Sequence, residues 1–220
     1  MRIATWNVER LSHQNRLPGI LEELRRVDAD VLVLTETDRR IQPDVPYAYH
    51  TPLLSEAVSG DYYRLTENRV SIFTKYPSIC QYPVTDANTS LCVELDIGRG
   101  TLVVYGTICG IYGNRRPSFR QDIKAQMEDV RRLAEQGHAI CLCGDFNCSF
   151  SDNYYFTNWA REKLMEVFAA CDLELVTAGQ PECIDHIALS SSFLCGQTPT
   201  VQEWNLDKTL SDHKGICMDF

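Results

Sequence analysis

Short apolar runs rich in β-branched residues alternate along this chain with stretches whose apolar positions recur every three or four residues. The first kind reads as strands: Arg2–Asn7, Val31–Thr35, Val70–Thr74, Leu91–Asp96, Thr101–Ile108, Ala139–Cys143, Ile184–Leu189, Val201–Trp204 and Gly215–Phe220, bounded by Gly, Pro, Asn and Asp. The second kind reads as helices, each with one face to bury on a sheet. Leu17, Leu21, Leu24 and Val27 make the first stripe; Ile123, Met127, Val130 and Leu133, after Pro117-Ser118, make the second; Leu164, Val167, Phe168 and Cys171 make the third. So many strands with so few helices do not fit a simple alternation of strand and helix. Ile97-Gly98-Arg99-Gly100 reads as a hairpin turn between neighbouring strands, so mixed sheets covered by helices are expected. With no internal repeat and no low-complexity tract, the 220 residues read as one domain, 1–220. The stretch Ile41–Asn68, rich in Pro, Tyr and Ser, reads as a long loop or insertion.

Composition narrows the class. No apolar stretch reaches the roughly 18 residues needed to span a bilayer. Met1 leads directly into the first strand pattern, so no leader peptide is expected. Of the ten cysteines, Cys92, Cys109, Cys141 and Cys217 lie in apolar runs, where Cys behaves as a small hydrophobe. There is no C-x-x-C pair, and Cys141, Cys143 and Cys148 lack the spacing of common zinc sites. The cysteines therefore read as buried thiols, and the compartment as cytoplasmic. A net charge of −9 argues against coating nucleic acid through overall charge, while leaving room for a local grip on a few phosphates.

Polar residues gather where the strand patterns stop: Asn7, Glu36, Asp145 and Asn147, Asp185 with His186, and Asp212 with His213. Any one of these has an ordinary explanation, since Asn and Asp favour turns by bonding local backbone. Their recurrence at strand ends makes a site, because a rigid sheet positions such loops. If Glu36, Asp145, Asp185 and Asp212 converge, they repel one another and any phosphate, and a divalent cation relieves both. Carboxylate and amide oxygens are hard ligands that suit Mg²⁺ or Mn²⁺. His213 is the candidate base or electrostatic partner, and Asp185 the carboxylate that fixes its tautomer. Asn7 and Asn147 can ligate or donate without adding charge.

Five blocks carry a resemblance: Ile3-Ala4-Thr5-Trp6-Asn7, Asp30 to Glu36, Gly144-Asp145-Phe146-Asn147, Ile184-Asp185-His186-Ile187 and Ser211-Asp212-His213. In this order, spanning nearly the whole chain, they resemble the endonuclease/exonuclease/phosphatase superfamily, which includes deoxyribonuclease I-like and exonuclease III-like enzymes. The resemblance implies an α/β (α+β) fold, a four-layer αββα sandwich of two mixed β-sheets flanked by helices. It implies a metal at Glu36 with Asn7 beside it and Asp212 as a further carboxylate. Asp145 would then activate water, Asn147 support the phosphate, and His213, paired with Asp185, contact the scissile group.

One block departs. Where many members carry a catalytic His or Tyr, this chain reads Tyr105-Gly106-Thr107-Ile108. Tyr105 would serve only in a different register, and core aromatic is the expected reading. Arg115 and Arg116, with Arg120 and Lys124 behind them, are candidates for gripping phosphate, as is Arg69. The expected activity is therefore Mg²⁺- or Mn²⁺-dependent phosphodiester hydrolysis by a small nuclease on nucleic acid, with no obligate protein partner evident. The rivals are a phosphatase or phosphodiesterase of a small-molecule or lipid-headgroup ester, and a phosphate-binding domain without catalysis.

Overall fold

Twelve strands in two sheets carry the fold, and the computed structural model describes residues 1–57, 62–113 and 116–220. The strands are β1 (Arg2–Asn7), β2 (Val31–Asp38), β3 (Tyr47–His50), β4 (Glu67–Thr74), β5 (Ser78–Tyr82), β6 (Ser90–Asp96), β7 (Thr101–Ile108), β8 (Ile140–Asp145), β9 (Leu173–Leu175), β10 (Asp185–Ser190), β11 (Thr200–Trp204) and β12 (Gly215–Asp219). The helices are α1 (Leu17–Val27), α2 (Leu54–Ala57), α3 (Pro117–Glu135), α4 (Asn158–Ala170) and α5 (Ser191–Leu194). One sheet runs β11-β12-β1-β2-β4-β3, the other β5-β6-β7-β8-β10-β9. Among the described strands only the β1–β2 and β7–β8 pairs are parallel, so both sheets are mixed.

Three apolar clusters separate four layers. Val31, Val33, Val70 and Ile72 of the first sheet meet Val93, Val104, Cys143 and Ile187 of the second. Gly106 sits in that seam, where an added Cβ would come within 3.0–3.3 Å of Val70, Val33 and Ile72. The outer face of the second sheet buries Tyr105 and Leu142 under Phe119, Ile123, Met127 and Val130 of α3 and Leu164, Val167 and Phe168 of α4. On the opposite side, Ala4, Leu32 and Leu34 lie under Ile20, Leu24 and Val27 of α1. Strand residues thus alternate between the seam and a helix layer, leaving both sheets nearly apolar on both faces, as sheets covered on both sides require. Every described cysteine is a free thiol, and most are buried.

The nine strands expected from the sequence are all present, shifted by at most three residues at their ends. The stretch Ile41–Asn68 needs correction: it holds β3, α2 and the start of β4 rather than a bare loop. Two further strands, β5 and β9, carried no clear pattern either. All three additions are edge strands, β3 in the first sheet, β5 and β9 in the second. An edge strand keeps one side in solvent, so Tyr47-Ala48 and Ser78-Ile79 are exposed and lack the apolar run of the central strands.

Candidate active site

Strand direction gathers the polar residues at one end of the sandwich. β1 and β8 end at Asn7 and Asp145. β10 runs antiparallel to β8 and β12 antiparallel to β1, so the start of each returns to that end. Asp185 is thereby the register partner of Asp145, and the loop before β12 brings His213 beside β1. β4 likewise returns to the end of β2, with Thr35 opposite Val70 and Thr37 opposite Asn68, which sets Glu36 against Arg69.

Hydrogen bonds join these groups across the two sheets. Asn7 Nδ2 donates to Asp145 Oδ2 at 3.0 Å, and the Asn147 amide donates to Asp145 Oδ1 at 2.9 Å. The Asn7 side-chain oxygen accepts from the Glu9 amide at 3.0 Å. Asn147, with a left-handed φ of 48°, donates its side-chain amide to the Cys109 carbonyl at 2.9 Å. His213 Nδ1 donates to Asp185 Oδ2 at 2.6 Å, while Asp185 Oδ1 is buried without a hydrogen-bond partner among the described residues. The His213 loop is fixed by Ser211, whose hydroxyl donates to the Asn7 carbonyl at 2.6 Å and accepts from the His213 amide at 3.2 Å. Trp6 and Asn205 both donate to the His213 carbonyl, at 3.0 and 2.7 Å.

Gly144 makes this possible at Asp145. Its φ of 143° suits glycine, and a Cβ there would fall onto the Thr107 carbonyl oxygen.

The electrostatics separate the two central groups. Burial raises the Asp145 carboxyl to about 7, with the neighbouring Asp185 adding to the rise and the His213 imidazolium opposing it. Burial alone would lower His213, but the charge and hydrogen bond of Asp185, with help from Asp145 and Asp212, lift it to about 10. At neutral pH His213 is therefore an imidazolium, its Nε2 3.8 Å from Asp212 Oδ1. A cleft of about 250 Å³ opens on this face, lined by Asn147, Tyr155, Asp185, Lys208, Asp212 and His213 among others.

The remaining candidates lie as follows. The Asp212 side chain is 67% exposed, on the rim. The Glu36 carboxylate is bound by Arg69 Nη1 at 2.7 Å and lies 3.9 Å from Arg10 Nε, both on Oε1. Arg116 is exposed at the N-cap of α3 and Arg115 lies outside the described residues. Arg120 packs over the Trp159 ring, and Lys124 is exposed on α3. His186 turns away from the cleft: it is buried, bonds Thr177 and the Cys148 and Cys183 carbonyls, and is held neutral by burial with its pKa lowered to about 4. Tyr105 is a core aromatic, its hydroxyl donating to Asp129 Oδ2 at 3.1 Å. It is three residues back from Ile108, the partner of Asp145, or roughly 10 Å along the strand. The sequence reading missed Arg10, Tyr63 and Asn205. Arg10 lies in a short turn whose φ of 52° no periodicity announces.

Among the described residues no three His, Cys, Asp or Glu side chains form a cage for a metal ion. A hard cation that keeps its waters and substrate oxygens needs only one or two carboxylates. Glu36 fits that requirement: it interrupts β2 with a left-handed φ of 42°, its side chain is 26% exposed, and both guanidinium contacts fall on one of its two oxygens.

The family model described as Endonuclease/Exonuclease/phosphatase family matches residues 4–213. Comparison with curated proteins gave no match. Among solved structures, the chain is similar to the 3′ phosphatase NExo from Neisseria bound to a product DNA hairpin, at 18% identity and a TM-score of 0.71, covering 100% of this chain and 99% of that one. It is similar also to an AP endonuclease from Archaeoglobus fulgidus, at 12% identity and a TM-score of 0.71, with the same coverage. The AP endonuclease LMAP from Leishmania major matches at 15% identity and a TM-score of 0.69, over 99% of this chain and 86% of that one. These likenesses establish the four-layer fold.

Proposed function

This chain belongs to the Endonuclease/Exonuclease/phosphatase family, whose members hydrolyse phosphoric esters and are generally divalent-metal dependent, and we propose that it is a nuclease using Mg²⁺ or Mn²⁺. The observation that carries the reading is a buried carboxylate, Asp145, brought beside an imidazole, His213, that a second carboxylate holds charged. Asp145 is poised near neutrality to take a proton, and His213 is held charged by Asp185. Of the two, the carboxylate is the group able to accept a proton at neutral pH, and the charged imidazole the one able to donate a hydrogen bond.

In this reading Asp145 orients the attacking water and accepts its proton. Asn7 and the Asn147 amide hold the carboxylate in place, since each bonds one of its oxygens. The His213 imidazolium offers Nε2 to a phosphoryl oxygen as charge accumulates there, a fixed donor that needs no reorganisation during reaction. Glu36 would hold the divalent cation, which when bound supplies positive charge against the phosphoryl and leaving oxygens. Arg116 and Arg115 remain candidates for gripping flanking phosphates, and Asp212 for a rim carboxylate toward a cation. Lys208, beside Tyr154 on the same cleft, adds a positive group there.

Nucleic acid is the proposed substrate because similar structures include a 3′ phosphatase bound to DNA and two AP endonucleases. The chain's net charge of −9 favours the second reading, a phosphatase of a small phosphate ester. One panel separates them. The protein is incubated with Mg²⁺ or Mn²⁺ and plasmid DNA, abasic duplex, 3′-phosphorylated oligonucleotide, RNA, a chromogenic phosphodiester and inositol phosphates. Cleavage of polymer or its 3′ end supports the proposal; cleavage of small esters alone selects the second reading. Silence on every substrate, with phosphate binding retained, would leave a domain that has lost catalysis.

No described helix is long and apolar enough to cross a membrane. Buried free thiols are compatible with the reducing, cytoplasmic setting that we propose.

A further inference from the structure

Glu36 already has a cationic partner supplied by the chain. Arg69 Nη1 donates to Glu36 Oε1 at 2.7 Å, and the β2–β4 pairs Thr35 with Val70 and Thr37 with Asn68 bracket the two residues. Arg69 is held from behind by Tyr63: Nη2 donates to the Tyr63 hydroxyl at 3.1 Å, and the guanidinium lies 5.6 Å from the ring centroid. The Arg69 side chain is only 13% exposed. Arg10 flanks the other side, its guanidinium 5.5 Å from the same ring and its Nε 3.9 Å from the same Glu36 oxygen. That Arg10 Nε is buried without a hydrogen-bond partner among the described residues. Glu36 meets both arginines from a left-handed backbone conformation that a residue with a side chain rarely adopts.

We propose that Arg69 is a built-in competitor for the divalent cation at Glu36: the guanidinium holds Oε1, and a cation entering at the other carboxylate oxygen is repelled by Arg69 and draws Glu36 away from it. The inference rests on the reading that Glu36 holds the cation. Its physical basis is charge. Arginine stays protonated at any relevant pH, so it cannot step aside by losing its proton. A guanidinium and a divalent ion on one half-buried carboxylate repel each other across a few ångströms, where the effective dielectric is below that of water. The pair also has a use, since it keeps Glu36 compensated when no cation is present. Once Glu36 turns to the cation, Arg69 and Arg10 carry unspent donors at the end of β2, and an anion such as a substrate phosphate supplies what they lack. Cation and phosphate then favour each other's binding, and by linkage the coupling is reciprocal. Arg69 is in this sense a positioning residue acting through Glu36.

The direction of one measurement separates this role from a structural one. Mn²⁺ alone is titrated into the full chain by calorimetry, comparing wild type with Arg69→Met, Arg69→Gln and Glu36→Gln, each checked for folding by circular dichroism. If Arg69 competes, both neutral variants bind Mn²⁺ tighter, on the order of tenfold. If Arg69 merely props Glu36 in place, both bind Mn²⁺ equally or more weakly, and the proposal is overturned. Loss of Mn²⁺ binding in Glu36→Gln without any gain in the Arg69 variants sinks only the competition. Unchanged binding in Glu36→Gln sinks the cation reading itself. Should the Arg69 variants not fold, wild type still answers: the Arg69 side-chain ¹⁵Nε signal must move during a Mg²⁺ titration, and a signal that stays put at saturating Mg²⁺ refutes the exchange.

Discussion

His213 and Asp185 come from segments 28 residues apart and meet through a 2.6 Å hydrogen bond from Nδ1 to Oδ2, on a carboxylate whose other oxygen has no partner among the described residues. This contact lifts the imidazole to about 10 against the downward push of burial. Replacing Asp185 by Asn keeps the size and removes the charge. We expect kcat/KM at pH 8 to fall by at least ~10², the usual weight of a positioned acid–base group. The alkaline limb of the pH profile should move down by several pH units in the same variant. An unmoved limb would mean that Asp185 does not set the His213 charge.

The wild-type profile follows from the two shifted groups. The reaction requires Asp145 ionised and His213 protonated. With Asp145 raised to about 7 and His213 raised to about 10, kcat/KM should rise through about 7, stay level, and fall through about 10. The acidic limb should vanish in Asp145→Asn along with at least ~10² of the rate. A profile flat from pH 5 to 8 would count against Asp145 as the base.

Stability should carry the same signature with a definite sign. The folded His213 binds its proton more tightly than the unfolded chain does, whose value is near 6.5. Its contribution is fully present below that value and is lost as pH rises through about 10. Wild-type Tm should therefore decline from pH 7 to 10 more than that of His213→Ala, with the two curves approaching each other above pH 10. Parallel curves from thermal scans across that range would show that the ion pair adds no stability.

Chelation tests the cation. EDTA should abolish hydrolysis and added Mg²⁺ or Mn²⁺ restore it, while Glu36→Gln should need far more metal for the same rate. Full activity in chelator would remove the cation from the reaction.

Gly144→Ala addresses the scaffold. A Cβ there would strike the Thr107 carbonyl oxygen, and a φ of 143° is one that alanine rarely adopts. Destabilisation of about 2–4 kcal/mol is expected in urea titration. A loss of less than ~1 kcal/mol would mean that the β7–β8 spacing yields easily.

The sequence by itself determined the central strands and the edge strand β11, the three long helices and the identity of the polar side chains at the strand ends. Buried elements must be apolar in the period of their geometry, so Val31-Leu32-Val33-Leu34 and the α3 stripe Ile123, Met127, Val130 and Leu133 announce themselves. Edge strands carry no such constraint, so of the four edge strands only β11, marked by Val201 and Trp204, was legible, and β3, β5 and β9 emerged only with the fold. At the site, Asn7, Asp145, Asn147, Asp185 and His213 were legible as types, but only antiparallel pairing of β10 with β8 and β12 with β1 joined them at one end. Tertiary structure alone decided that His213 is charged, because that depends on a carboxylate brought from another strand. It also decided that Glu36 faces Arg69, since a register between β2 and β4 is a property of paired strands and of neither sequence segment alone.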